Sequence, residues 1–305
     1  MDVMTAPPRS PASGLLRLVS GETALRRWAI ASLVANIGIV VTGGVVRLTA
    51  SGLGCPTWPR CTEDSYVTHP ALGMHGVIEF GNRLLTFVLI IIAVLTWVTA
   101  MRNRDDGRPR RGVRRVATAM ALGIPAQGVI GGITVLTQLN PFVVALHFLL
   151  SMVLITLGVW LVRAAYRVNR QPVRPLVNGL VWFTFVAMWL AVWLGTMTTG
   201  SGPHAGDLDA RRTGWDIVVI AHAHAFTVYA TMAGTIVLLW LARSRAVLLL
   251  LGVEVLQAAI GLTQYHLGLP IGLVAAHLLG AALSIAAVAN LRFSVRPVRP
   301  TAQVR

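Results

Sequence analysis

The stretch Gln257–His277, QAAIGLTQYHLGLPIGLVAAH, repeats Gln127–His147, QGVIGGITVLTQLNPFVVALH, at identical spacing and without a gap. Extended to Leu149 and Leu279, the two copies share Gln, Ile, Gly, Leu, Val, Ala, His and Leu, 8 of 23 positions, where apolar composition alone gives about 2 or 3. The chain reads as a duplication. Each copy ends on a histidine inside an apolar run. An ionisable side chain is costly in lipid and marks function there, so His147 and His277, at equivalent positions, point to one shared ligand chemistry.

Outward from this pair, the 305 residues are 55% hydrophobic and 12% charged, with a mean hydropathy of +0.69. That leaves too little polar surface for a soluble protein of this size. Apolar spans long enough to cross a bilayer lie at 28–46, 75–101, 116–136, 141–163, 177–198, 216–242, 246–266 and 270–291. The net charge of +15 does not imply a nucleic-acid partner. All 26 basic residues are arginine, and 21 fall in the two tails and the loops after the second, fourth and sixth spans. By the positive-inside rule those segments, and both termini, are cytoplasmic.

The expected organisation is a cytoplasmic tail over 1–27, a four-helix bundle over 28–163, a cytoplasmic linker over 164–176, a second four-helix bundle over 177–291 and a basic tail over 292–305. The first 25 residues lack the apolar core and cleavage site of a signal peptide, so no cleavage is expected. The Pro-interrupted tail after Arg292 is expected to be disordered. Thr49–Gly52 and Thr199–Gly202 share Thr-x-Ser-Gly and extend the repeat. Four helices per copy is an even number, so both copies enter from one side and are related by an axis along the membrane normal. The fold class is thus all-α integral membrane, with eight transmembrane helices as a pseudo-twofold pair of four-helix bundles.

Cys55 and Cys61, in CPTWPRC, lie in the first outer loop, where a disulfide is permitted. A structural staple and a redox role or one at the substrate mouth weigh equally. A zinc site is disfavoured, because four ligands are wanted and no second Cys pair exists.

The even-numbered helices run from outside to inside. Counting from their outer ends at about 1.5 Å per residue puts Asn82, His147, His224 and His277 at one depth, about 10 Å below the outer surface. Two facing imidazoles at one level of a bundle make a bis-histidine haem site. His222 and His224 point to nearly opposite faces of their helix, so only one can serve. Aligning IAHAHAFTVY with IEFGNRLLTF sets Asn82 against His224 and Glu79 against Ala221, which favours His224, with His222 as the alternative.

Glu79, Asn82 and Arg83 share one turn of helix 2. Glu79 and Arg83 could form a self-neutralised i,i+4 pair, but the second copy has alanines at both positions, which argues for a task done only in the first half. A carboxylate near a haem edge can handle protons. Gln127 and Gln257 are expected to bond across helices, and Glu254 to reach interfacial water. His69, His75, His204 and His266 are read as solvated histidines at the outer boundary, with Arg47 a better partner than His204 for a haem propionate.

These segments, GGVVRLTASGLGCPTWPRC, IEFGNR, the duplicated Gln-to-His helices and TTGSGPHAGD followed by HAHA, resemble the haem A synthase family in its actinobacterial form. The resemblance implies a membrane oxidoreductase that converts a methyl group of haem O to the formyl of haem A for cytochrome oxidase assembly, with haem b as resident cofactor. It implies haem b on His224 and His277, the substrate haem at His147 and Glu79, and haem O synthase and oxidase assembly factors as partners beside membrane lipid. One departure stands out: better-known members read Glu-x-x-His-Arg where this chain has Asn82, and an amide is a poor iron ligand. Two rival classes stay open, a dihaem cytochrome that only passes electrons and a parallel-repeat secondary transporter.

Overall fold

The computed structural model describes residues 18–298. Its helices are α1 (Gly21–Leu48), α2 (Gly73–Arg102), α3 (Arg111–Leu136), α4 (Pro141–Ala165), α5 (Pro175–Ser201), α6 (Ile217–Ala242), α7 (Arg245–His266) and α8 (Ile271–Ser294). Among the described residues these eight are long and apolar enough to cross a membrane. In lipid a backbone must satisfy its own hydrogen bonds, which a helix does within one segment. The chain is an all-α membrane protein of eight spans.

Local sequence sets several boundaries. Asn140 accepts from the Phe142 amide and Pro141 opens α4; Asp216 accepts from the Val218 and Val219 amides at the start of α6; Ser244 accepts from Val247 at the start of α7. Between α2 and α3 the chain turns through a two-residue-per-strand hairpin, β1 (Arg104–Asp105) against β2 (Arg108–Pro109), with Asp106 and Gly107 at φ +47° and +76°.

The helices overrun the apolar spans. α1 begins at Gly21 rather than 28, so Arg26 and Arg27 belong to its first turns, and α5 runs on to Ser201 through the Thr/Gly-rich segment. At the other end the structure corrects the expectation of a disordered tail after Arg292. Residues Val295–Pro297 form a strand, β4, parallel to β3 (Gln171–Val173), and Val298 donates to the Val173 carbonyl at 3.0 Å. The expected tail residues 1–17 and 299–305 lie outside the described residues.

Helix contacts within each half form a closed ring: α1 with α2, α2 with α3, α3 with α4 and α4 with α1, matched by α5 with α6, α6 with α7, α7 with α8 and α8 with α5. The halves meet where α4 packs on α8, α1 on α8 and α4 on α5. One core lies inside the first ring around Leu25, Met120, Ile124 and Leu161, and another spans the seam around Met152, Ile155, Leu238, Ile285 and Val288.

Polar contacts tie the rims. At the end that carries the α1–α2 loop, Arg47 Nε donates to the His204 carbonyl at 2.7 Å and the Gly52 amide to the Gly206 carbonyl at 2.9 Å. At the opposite end Arg167 bridges Glu22 at 2.6 Å and Asp105 at 3.0 Å, and its hydrogen bond holds the Asp105 carboxyl below the usual carboxylate range.

Gly44 of α1 sits at the seam: a Cβ there would lie 2.6 Å from Leu278 Cδ1 on α8. Gly44→Leu should therefore strain the contact between halves by about 1–3 kcal/mol, read as a lower Tm in detergent with unchanged helical circular dichroism. An unaltered Tm would show that α1 and α8 do not meet at this position.

Candidate functional site

Each even helix turns one polar side chain toward a glycine of the preceding odd helix. A Cβ placed on Gly131 would lie 3.4 Å from His147 Cε1, on Gly195 3.2 Å from His224 Cε1, on Gly261 3.0 Å from His277 Cε1, and on Gly43 4.0 Å from Asn82 Nδ2. Small residues let helices approach closely in lipid, and here the space holds an imidazole or amide against the neighbouring backbone. His147, His224 and His277 are all half-buried.

In the second half the rings of His224 and His277 lie 6.4 Å apart, centroid to centroid, at an interplanar angle of 81°. His224 Nδ1 lies 2.8 Å from the Ala191 carbonyl on α5. Donation there fixes the tautomer and leaves Nε2 as the acceptor. His277 is held from the other side, where Gln257 Nε2 donates to its backbone carbonyl at 2.8 Å. His222 faces away: it is exposed, and its Nδ1 lies 2.8 Å from the Val218 carbonyl of its own helix.

The first half builds the same frame differently. Gln127 Nε2 donates to the His147 carbonyl at 3.1 Å and to Ser151 Oγ at 2.7 Å. Both glutamines thus bond across helices as expected. Asn82 accepts from Thr42 Oγ1 of α1 at 2.8 Å, so its carbonyl oxygen is engaged by a neighbouring helix.

Glu79 and Arg83 pair at 2.6 Å, but the pair is not self-contained. Glu79 Oε2 accepts from the Cys55 amide at 2.7 Å, and Arg83 donates to the carbonyls of Cys55, Thr57 and Arg60 at 3.0, 3.1 and 3.0 Å. The planar guanidinium thereby gathers three carbonyls of the outer loop onto α2. The Cys55–Cys61 disulfide closes that loop. Its Trp58 lies on α3, where a Cβ on Gly132 would meet the indole at 2.3 Å.

Two expectations are corrected. Glu254 does not reach interfacial water: it is 4% exposed, with Oε1 3.0 Å from Thr235 Oγ1 and Oε2 unpartnered. His204 is not free in solvent, since Nε2 donates to the Leu269 carbonyl at 3.0 Å, whereas His75 is exposed as expected, with Nδ1 3.0 Å from Ser51 Oγ. Arg47, read as the candidate for a haem propionate, gives its Nε to the backbone carbonyl of His204 and keeps its place beside that loop. Sequence reasoning missed the role of Gly131 and Gly261, although a signal existed: the Ile-Gly pair is shared by both copies of the repeat.

Residues 26–208 match the family described as COX15-CtaA, cytochrome oxidase assembly protein. The chain belongs to this family. The matched stretch contains Arg47, Cys55, Cys61, Glu79, Asn82, Arg83 and His147, whereas His224 and His277 lie beyond it. Curated relatives include the "Heme A synthase" of Symbiobacterium thermophilum, 29% identical over 185 residues, 56% of this chain and 58% of the relative. Those of Listeria welshimeri, 27% identical over 57% of this chain and 58% of theirs, and Lysinibacillus sphaericus, 31% identical over 47% and 46%, are similar. The chain spans about half to three fifths of the length of the relatives it matches.

Because this protein has only two cysteines, thiol labelling reads the outer loop cleanly. Protein isolated without reductant should label at no cysteine, and at two after reduction and unfolding. Cys55→Ser with Cys61→Ser should lower stability by about 2 kcal/mol, the loop-closure value for so short a ring. Free thiols in the unreduced protein would contradict the bond.

Proposed function

We propose that this protein is a haem A synthase. In this reading it oxidises a methyl group of haem O to the formyl of haem A, with haem b held by His224 and His277 in the carboxyl-terminal half and the substrate haem at His147 in the amino-terminal half. Membership of the cytochrome oxidase assembly family supports the reading, as do relatives named for that synthase. The observation that carries it is the spacing of the two rings. Imidazoles that share one first-row metal, each nitrogen about 2 Å from it, have centroids about 6 Å apart; those of His224 and His277 are 6.4 Å apart. Donation from His224 Nδ1 to Ala191 leaves the nitrogen that ligation needs, so the residues fit the group.

Haem b supplies one-electron redox chemistry when bound. The protein's part is to fix the ligands at one depth, exclude water with apolar walls and move protons. Turning a methyl into a formyl with oxygen from water passes electrons to an external acceptor and releases protons, and Glu79 is the buried carboxyl of the first half placed to take them. Arg83 pairs with it at 2.6 Å and orients it, and both are tied to the loop that carries Trp58. Asn82 leaves the substrate haem with His147 as its one protein imidazole, and a weaker axial bond suits a molecule that must enter and leave. Arg47 remains the outer-rim cation for a propionate through the nitrogens not given to His204. The reading also has the two halves related by a pseudo-twofold axis along the membrane normal, with both termini cytoplasmic, in the plasma membrane. Haem O synthase and oxidase assembly factors are its proposed partners.

Two experiments test it. His224→Ala and His277→Ala should each abolish the low-spin b-type spectrum of the purified protein, while His222→Ala keeps it; bleaching by His222→Ala alone would sink the ligand assignment. Glu79→Gln should keep haem b but lower haem A formation by about 100-fold or more, the scale for losing a general acid or base, in cells supplied with haem O. Wild-type output from that variant would leave Glu79 as an anchor of the outer loop.

A further inference from the structure

The two copies differ at one buried position in a way the duplication itself exposes. By the register that superposes Gln127 on Gln257, Glu254 occupies the place of Ile124, and both are buried, at 4% and 3% exposure. By the register that sets Asn82 against His224, Thr227, Thr231 and Thr235 occupy the places of Leu85, Leu89 and Ala93. In the first half Leu89, Ala93 and Ile124 belong to one apolar core. The fold therefore needs no polar group here, yet the second half buries a carboxyl and three hydroxyls.

The hydroxyls form a line from the carboxyl to a proposed ligand. Thr227 Oγ1 donates to the His224 carbonyl at 2.7 Å and Thr231 Oγ1 to the Thr227 carbonyl at 2.7 Å. Thr235 Oγ1 lies 3.1 Å from the Thr231 carbonyl and 3.0 Å from Glu254 Oε1. A hydroxyl has one proton to give. When Thr235 gives it to Thr231, the contact with Glu254 is satisfied only by a protonated carboxyl donating back; when Glu254 is ionised, the Thr235 proton turns to it. The two hydrogen-bond arrangements correspond to the two charge states of Glu254. Gln257, one turn along α7 from Glu254, donates to the carbonyl of the other proposed ligand, His277.

The helices packed on α7 are α6 and α8. Their titratable or charged side chains are His222, His224 and Tyr229 on α6 and His277 and Arg292 on α8, and α7 itself carries Arg245 at one end and Tyr265 and His266 at the other. None of the ion pairs among the described residues includes Glu254. A buried carboxyl without a cation is sensitive to any nearby change of charge, and the change at hand is that of the metal group assigned to His224 and His277.

We propose that Glu254 is a redox-linked proton site: it binds one proton from water when one electron from an external donor reaches the group between His224 and His277, and releases it when the electron leaves. This rests on the haem reading above. It makes Glu254 a positioning residue that acts through the charge of the site and touches no substrate.

The test is an optical redox titration of the holoprotein with mediators at a series of pH values. Protonation favours the reduced form, so the midpoint potential of the wild type should fall as pH rises through the interval in which Glu254 titrates. Glu254→Gln, and Glu254→Ile, which copies the first half, should abolish that slope while keeping the b-type spectrum. Thr235→Val should keep the slope but shift its pH interval. The reduced-minus-oxidised infrared spectrum should contain a protonated-carboxyl band that moves in D2O and is missing in Glu254→Gln. A pigmented wild type with a pH-independent midpoint, or a Glu254→Gln variant that keeps the slope, overturns the proton site alone. Protein that binds no haem overturns the proposed function and this inference with it.

Discussion

A glutamine amide bonded to the backbone carbonyl of a histidine in the next helix fixes the register on which both halves are built. Lipid gives helices no hydrophobic reason to associate, so close approach over small residues and a few interhelical hydrogen bonds decide how they sit. Gln127 reaches His147 and Gln257 reaches His277, each across a glycine that faces the imidazole. Sliding α3 on α4, or α7 on α8, by one residue would bury the amide unpaired and push a side chain into the ring. Depth, ring orientation and the distance between helices are thus set by a single pair of contacts per half.

On this shared frame the two copies carry different chemistry. The first half places its charge beside the α1–α2 loop, where Arg83 and Glu79 hold a disulfide-closed loop against α2 and Trp58 lies against α3. The second half leaves alanines at those positions and brings two imidazoles within 6.4 Å of each other. Its own carboxyl is placed deeper, against a row of threonines. Such division is possible because the helix contacts that join the halves, α4 and α1 on α8 and α4 on α5, lie apart from these side chains' own partners.

Much of this was legible in the sequence, for physical reasons. Hydropathy gives the spans because a bilayer demands long unbroken apolar helices, and the repeat gives the correspondence between copies. Two residues of separation on a helix is enough to see that His222 and His224 oppose each other, and the alignment with Asn82 chose the one that faces α5. What escaped reading depends on facing. Glu254 sits near an inner end by count, but count along a helix does not say which neighbour covers it. His204 lies in a loop whose partner, Leu269, is sixty-five residues away. The carbonyls gathered by Arg83 belong to a loop whose path no periodicity encodes.

The parallel pairing of β3 with β4 bears on how the molecule is made. Gln171–Val173 lies just before α5, and its partner strand follows α8, so more than a hundred residues separate them. During synthesis the first ring can complete all its internal contacts while this inner seam stays open. It closes only after α8 has been inserted, which makes it a late event in assembly. The carboxyl-terminal strand thus acts as a latch that registers completion of the second ring.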